Sequence, residues 1–168
     1  INSDFGRYFT KTKKYLFSKN VVLVNPEYVI ETERLDFYTT TGYAFLYGPT
    51  TITSDSSIIY CERGFYNTNN DTGYFVNKSK ICYDERMIEG DSIFFDRNKS
   101  FASATNNIKV TDTLNNFFVR GHYAEVFKDK DSVYVTKRAL AITVQENDSL
   151  YMHSDTLMIT GPADNRVV

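Results

Sequence analysis

A polar anchor residue, followed at its second and fourth positions by small or apolar residues, recurs along this chain at a nearly constant interval. No other feature limits the fold as strongly. Asp4 precedes Gly6 and Tyr8, Glu33 precedes Leu35 and Phe37, and Glu62 precedes Gly64 and Tyr66. Asp91 precedes Ile93 and Phe95, His122 precedes Ala124 and Val126, and Asp155 precedes Leu157 and Ile159. Successive anchors lie 29, 29, 29, 31 and 33 residues apart. Three residues before them stand Ile30, Ile59, Ile88, Val119 and Met152, and nineteen residues after the first five stand Leu23, Ile52, Ile81, Val110 and Ala141. Each unit thus has an apolar start, an alternating strand, a turn and a second apolar strand. Units of this length stack on their neighbours to bury a continuous core.

The punctuation between strands agrees. Short polar stretches at 10–14, 39–42, 67–73, 96–99 and 128–131 follow the first strands, and further reversals are expected at 25–26, 53–57, 84–86, 111–116 and 145–148. Asn, Asp, Thr, Lys and Gly are residues that hairpin loops favour. Leu35 and Phe37 alternate with Arg34, Asp36 and Tyr38, which gives one buried and one wet face. Tyr43-Ala44-Phe45-Leu46-Tyr47 is apolar on both faces, as an interface or a covered edge would be. No window shows a helical period, and the 13 Tyr and 13 Phe suit pleated, half-buried surfaces. The expectation is an all-β chain of tandem two-stranded repeats of about 29–33 residues, one domain over 1–161 and a tail at 162–168. Neither end carries a polar capping unit, so end-to-end stacking or a longer native chain is expected.

Chemistry is scarce. His122 and His153 have no Ser, Cys or metal-ligand partner at a recognisable spacing. The anchor acids arrive one per unit, interrupted by His122, and read best as solvated or turn-capping groups. Paired carboxylates for glycoside hydrolysis would be spatial, not sequential, and nothing in the sequence picks out a pair. Cys61 and Cys82 read as two separate thiols, with a disulfide as the alternative. No metal, cofactor or catalytic group is expected. Three Asn-x-Ser matches, at Asn77, Asn98 and Asn147, are too short a pattern to carry weight. A net charge of −2 without a basic run argues against nucleic acid. The aliphatic run from Val21 to Val24 is far too short to span a bilayer, so no transmembrane segment is expected. The chain starts at Ile1 with no visible signal peptide, and a mature or trimmed protein is expected.

Several strings carry a family likeness. Leu46-Tyr47-Gly48-Pro49-Thr50-Thr51-Ile52, Gly90-Asp91-Ser92-Ile93-Phe94-Phe95-Asp96 and Asp148-Ser149-Leu150-Tyr151-Met152-His153-Ser154-Asp155-Thr156-Leu157 resemble the OstA-like proteins. So do the stretches around Asn25-Pro26-Glu27-Tyr28 and Gly42-Tyr43-Ala44. This is the organic-solvent-tolerance, LptA-like lipopolysaccharide-transport family, and the wording is similar to its Bacteroidetes branch. The resemblance implies an open, taco-like β-jellyroll in the periplasm that is not an enzyme. It also implies acyl chains of lipopolysaccharide or lipid A held inside, and edges that pair with other transport proteins or with a second copy. By this sequence's own alternation, Leu35, Phe37, Tyr66, Ile93, Phe95, Val126 and Ile159 are the candidate inward, lipid-contacting positions. The competing expectation is a structural or adhesive repeat domain with a filled core and no ligand.

Overall fold

Alternating side chains, frequent turn residues and the lack of helical periodicity produce one antiparallel sheet in which every strand pairs with its sequence neighbours. The computed structural model describes residues 1–144, 148–162 and 165–168. The reversal expected at 145–148 and the Asn147 match therefore fall at residues 145–147, outside that description. The strands are β1 (Phe5–Phe9), β2 (Lys14–Asn25), β3 (Tyr28–Tyr38), β4 (Tyr43–Ser54), β5 (Ser57–Asn67) and β6 (Thr72–Tyr83). They continue with β7 (Arg86–Asp96), β8 (Phe101–Asp112), β9 (Phe117–Phe127), β10 (Ser132–Val144) and β11 (Ser149–Thr160). The order across the sheet is the order in sequence, from β1 to β11. This is an array of tandem hairpins, as the repeat predicts, forming the open jellyroll that the resemblance implies.

The strands do not run straight. Each even-numbered strand contains a register shift at the same level, with Lys19 and Asn20, Asn77 and Lys78, Asn106 and Asn107, or Lys137 and Arg138 in the left-handed region. In β4 the place is taken by Gly48, at φ +85°, and Pro49. Extra residues of this kind bend a strand and sharpen its twist. Lined up, they form a corner across the whole sheet. The sheet thereby folds into two walls, the first bounded by the β2–β3, β4–β5, β6–β7 and β8–β9 turns, the second by the turns in between.

The anchor residues lie along this corner. Asn20 Nδ2 donates to the Asp4 carboxylate at 3.0 Å, Lys78 Nζ pairs with Glu62 at 2.8 Å, and Asn107 Nδ2 donates to both oxygens of Asp91 at 3.1 and 2.9 Å. A Cβ on Gly48 would come within 2.6 Å of a Glu33 carboxylate oxygen. Asp4, Glu62 and Asp91 thus bind the mid-strand corner near the surface and do not cap turns.

The core occupies the space between the walls. On the first wall the two periodic apolar sets interleave into one continuous row: Leu23 pairs with Ile30, Ile30 with Ile52, Ile52 with Ile59, Ile59 with Ile81 and Ile81 with Ile88. Val110, Val119, Ala141 and Met152 continue it. Full burial stabilises each aliphatic side chain by about 1.5–3 kcal/mol. The second wall carries aromatic residues inward. Gly64 and Gly73 leave room there for the fully buried ring of Phe75, since a Cβ at either would lie 2.7 or 2.6 Å from it.

The two-sided apolar stretch in β4 is resolved by this geometry. Ala44 and Leu46 point inward and are buried, while Tyr43 and Phe45 join Phe65 and Tyr74 in a half-buried outer row with ring centroids 5.6–6.0 Å apart. Cys61 and Cys82 are separate thiols. Burial pushes the Cys61 thiol up to about 12. No helix among the described residues is long and apolar enough to cross a membrane.

Candidate binding cavity

Where the walls face each other, side chains do not fill the space completely. A cavity of about 260 Å³ remains. Its floor is the aliphatic row of the first wall, with Ile30, Ile52, Ile59, Ile81 and Ile88 all contributing. Its ceiling is the second wall, through Tyr66, Phe75, Phe95 and Val126. The rim is polar: Ser54, Ser56 and Ser57 come from the tip of the β4–β5 hairpin, and Arg97, Ser100 and Lys128 from second-wall tips.

The seven inward candidates all belong to the second wall, in two adjacent rows. Phe37, Tyr66, Phe95, Val126 and Ile159 fall in one row, linked strand by strand through Ala44, Gly73, Ala102 and Val133. Of these, Tyr66, Phe95 and Val126 line the cavity, whereas Phe37 and Ile159 sit beyond its two ends. Leu35 and Ile93 lie one row nearer the corner, fully buried in packed core, and do not reach it. The first-wall isoleucines were visible in the sequence as a period, but nothing marked them as facing a void. The rim cations and serines had no repeat signal, because they stand at turns whose lengths vary.

The walls are tied together at their tips, with an offset. Arg97 pairs with Glu27 at 3.1 Å and lies 5.7 Å from the ring of Tyr28, which meets Tyr66 edge-on at 5.8 Å. Lys128 Nζ donates to Ser56 Oγ at 2.7 Å, spanning 72 residues of sequence. Beyond the cavity, the buried Arg86 guanidinium donates to Asp131. Arg166 joins Asp112 and Asp131, at 3.0 Å in each case, and so bridges a tip of each wall.

Burial raises the Tyr66 phenol well above its ordinary value, and its hydrogen bond to Asp71 at 3.0 Å adds to this. Burial likewise raises Tyr28, with Asp71 adding and Arg97 opposing. Both phenols are therefore neutral donors at neutral pH. Among the described residues no carboxylate, histidine or thiol lines the cavity. The anchor acids, one of which would have to pair with another for hydrolysis, lie on the outer corner instead. Among the described residues no group of His, Cys, Asp and Glu could hold a metal ion. The arrangement can exclude water and hold apolar matter.

The fold is similar to that of LptH, the LptA homologous periplasmic component of the conserved lipopolysaccharide transport device from Pseudomonas aeruginosa. The crystal structure of that protein matches with a TM-score of 0.58 at 12% sequence identity, over 62% of this chain and 79% of the other. At that identity the likeness is one of fold. No family model matches the sequence, and no curated protein matches it.

Proposed function

We propose that this chain is a non-catalytic lipid-holding module of the periplasm, an OstA-like protein of the Bacteroidetes type that shields acyl chains of lipopolysaccharide on their way to the outer membrane. The observation that carries this reading is the cavity between an aliphatic and an aromatic wall, in a fold shared with LptH. Each methylene moved from water into such a space is worth about 0.8 kcal/mol, so several suffice for reversible holding without a catalytic group. The edges of β1 and β11 are unpaired along most of their length and are where other transport proteins, or a second copy, would add strands.

Photo-crosslinkers test the reading. Placed at Phe95, on the cavity, one should capture co-expressed lipopolysaccharide; placed at Arg34, on the outer face, it should not. Equal capture at both positions, or no capture and no extractable lipid by mass spectrometry, would sink the proposal. A structural module with a filled core is favoured by one observation: near the corner, Leu35, Leu46, Phe75 and Ile93 pack with 0% exposure. That reading expects Phe95→Asp to unfold the protein without altering any lipid signal.

A further inference from the structure

The polar rim of the cavity is chemically one-sided. The chain as a whole is slightly acidic, with 21 Asp and Glu against 19 Lys and Arg. Yet among the described residues that line the cavity there are two cations, Arg97 and Lys128, and no carboxylate. The two come from neighbouring hairpin tips of the second wall, joined by the Lys128 amide donating to the Ser100 carbonyl at 3.0 Å. Facing them across the rim is the β4–β5 tip, whose hydroxyls contribute further donors.

Neither cation is committed to a buried partner. Arg97 pairs with Glu27, whose side chain is 65% exposed. Lys128 Nζ donates to Ser56, its one hydrogen-bond partner among the described residues. Exposed pairs of this kind are weak and easily exchanged. Arg86 and Arg166 differ, for their side chains are 1% and 4% exposed and held by carboxylates. The cavity itself, at about 260 Å³, is at or below the lower end of the roughly 300–1,000 Å³ usual for small-molecule sites. It suits one chain, not a bundle.

From this juxtaposition we infer that the cavity takes a single-chain amphiphile with an anionic head, tail inward, its head held by Arg97 and Lys128 against the serine-lined rim. The inference rests on the lipid-holding part of the reading above and departs from its lipopolysaccharide, giving the cavity a ligand with one chain and a charged head. Fatty carboxylates and alkyl phosphates share the required chemistry. Charge-assisted hydrogen bonds from two cations give the selectivity, and the isoleucine floor accepts any saturated tail.

Binding of dodecanoate, dodecyl phosphate, dodecanol and dodecyltrimethylammonium to the full chain, each below its micellar concentration, tests the inference by calorimetry. Either anionic probe, or both, should bind about ten-fold or more tighter than the neutral and cationic ones, and which of the two does so identifies the head. R97Q combined with K128Q should abolish the preference, bringing the anionic probes down to the affinity of dodecanol for the same variant, with the far-ultraviolet dichroism native. Equal affinity for all four probes overturns the head-group inference but leaves the lipid-holding reading standing. Displacement of the anionic probes by inorganic phosphate at equal concentration also overturns it, because the tail would then contribute nothing. If no probe binds, both readings fall.

Discussion

Asp36 lies on the outer face of the second wall with a side chain 3% exposed, bound by the fork of Arg34 at 2.9 and 2.8 Å and by Lys14 at 2.6 Å. Burial pushes its carboxyl up, but the hydrogen bonds and charges of Arg34 and Lys14 outweigh burial and hold it below the usual range. Asp112 follows the same pattern, with burial opposed by hydrogen bonds from Asn115 and by Arg166. A depressed folded-state value means that both groups stabilise the fold fully above the ordinary carboxylate pKa of about 3.9, and that the contribution is lost as pH falls through the lowered value. Asp36→Asn should therefore cost about 1–2 kcal/mol in urea unfolding at neutral pH, and the gap to the native protein should close below about pH 4. A gap that stays constant down to pH 3 would show that Asp36 is not ionised as described. At the thiols, buried Cys61 and the more accessible Cys82 should differ in rate. Alkylation of the native protein followed by mass spectrometry should mark Cys82 first, and marking of Cys61 alone would contradict the packing.

At the level of strands, the decisive elements are the corners. Asn106 and Asn107 occupy left-handed geometry at φ 59° and 51°, which asparagine tolerates and β-branched residues resist. Asn107→Val should thus lower stability by about 1–2 kcal/mol, whereas Arg138→Gly, at φ 63°, should be neutral or stabilising. Thermal melts of the pair check both signs. Gly73→Val should cost about 1–3 kcal/mol through overpacking, because its Cβ would meet the Phe75 ring at 2.6 Å. Much of this architecture was legible in advance. The anchors, the two apolar sets and the turns follow directly from composition and spacing, and they place Ile30, Phe37 and Phe95 on strands with the right faces. A phase slip was present too: burial falls three residues before and two residues after Glu33, Glu62, Asp91 and His122, so the alternation changes parity there. That slip is the corner, and reading it requires knowing that two left-handed residues stand opposite on the next strand. The cavity was not legible, because Phe37 and Phe95 hold the same place in the repeat although only Phe95 faces the void. Rim residues such as Arg97 and Lys128 belong to turns, where no period constrains the side chain.

Across the whole molecule, the two walls meet out of step. Glu27 meets Arg97, Ser56 meets Lys128, and Arg86 reaches the carbonyl of Gly161, 75 residues further along the chain. The ion cluster of Asp112, Asp131 and Arg166 secures the far end, with the Arg166 and Asp112 side chains 4% and 2% exposed. Arg166→Gln should leave these carboxylates short of a partner and cost about 2–4 kcal/mol, with hydrogen exchange accelerating in β10 and β11 before β3 and β4. Uniform acceleration across all strands would instead mark a global loss of stability. The stagger also sets a minimum size. A chain stopped at the end of β5 would retain every strand pairing it contains and still have no chamber, since Phe75, Ile81, Ile88, Phe95 and Val126 of its lining all come later. One further unit spliced into the middle, by contrast, would add two strands at about 4.8 Å each and lengthen the compartment without widening it. Storage capacity in this architecture grows with the number of units, and its bore stays fixed.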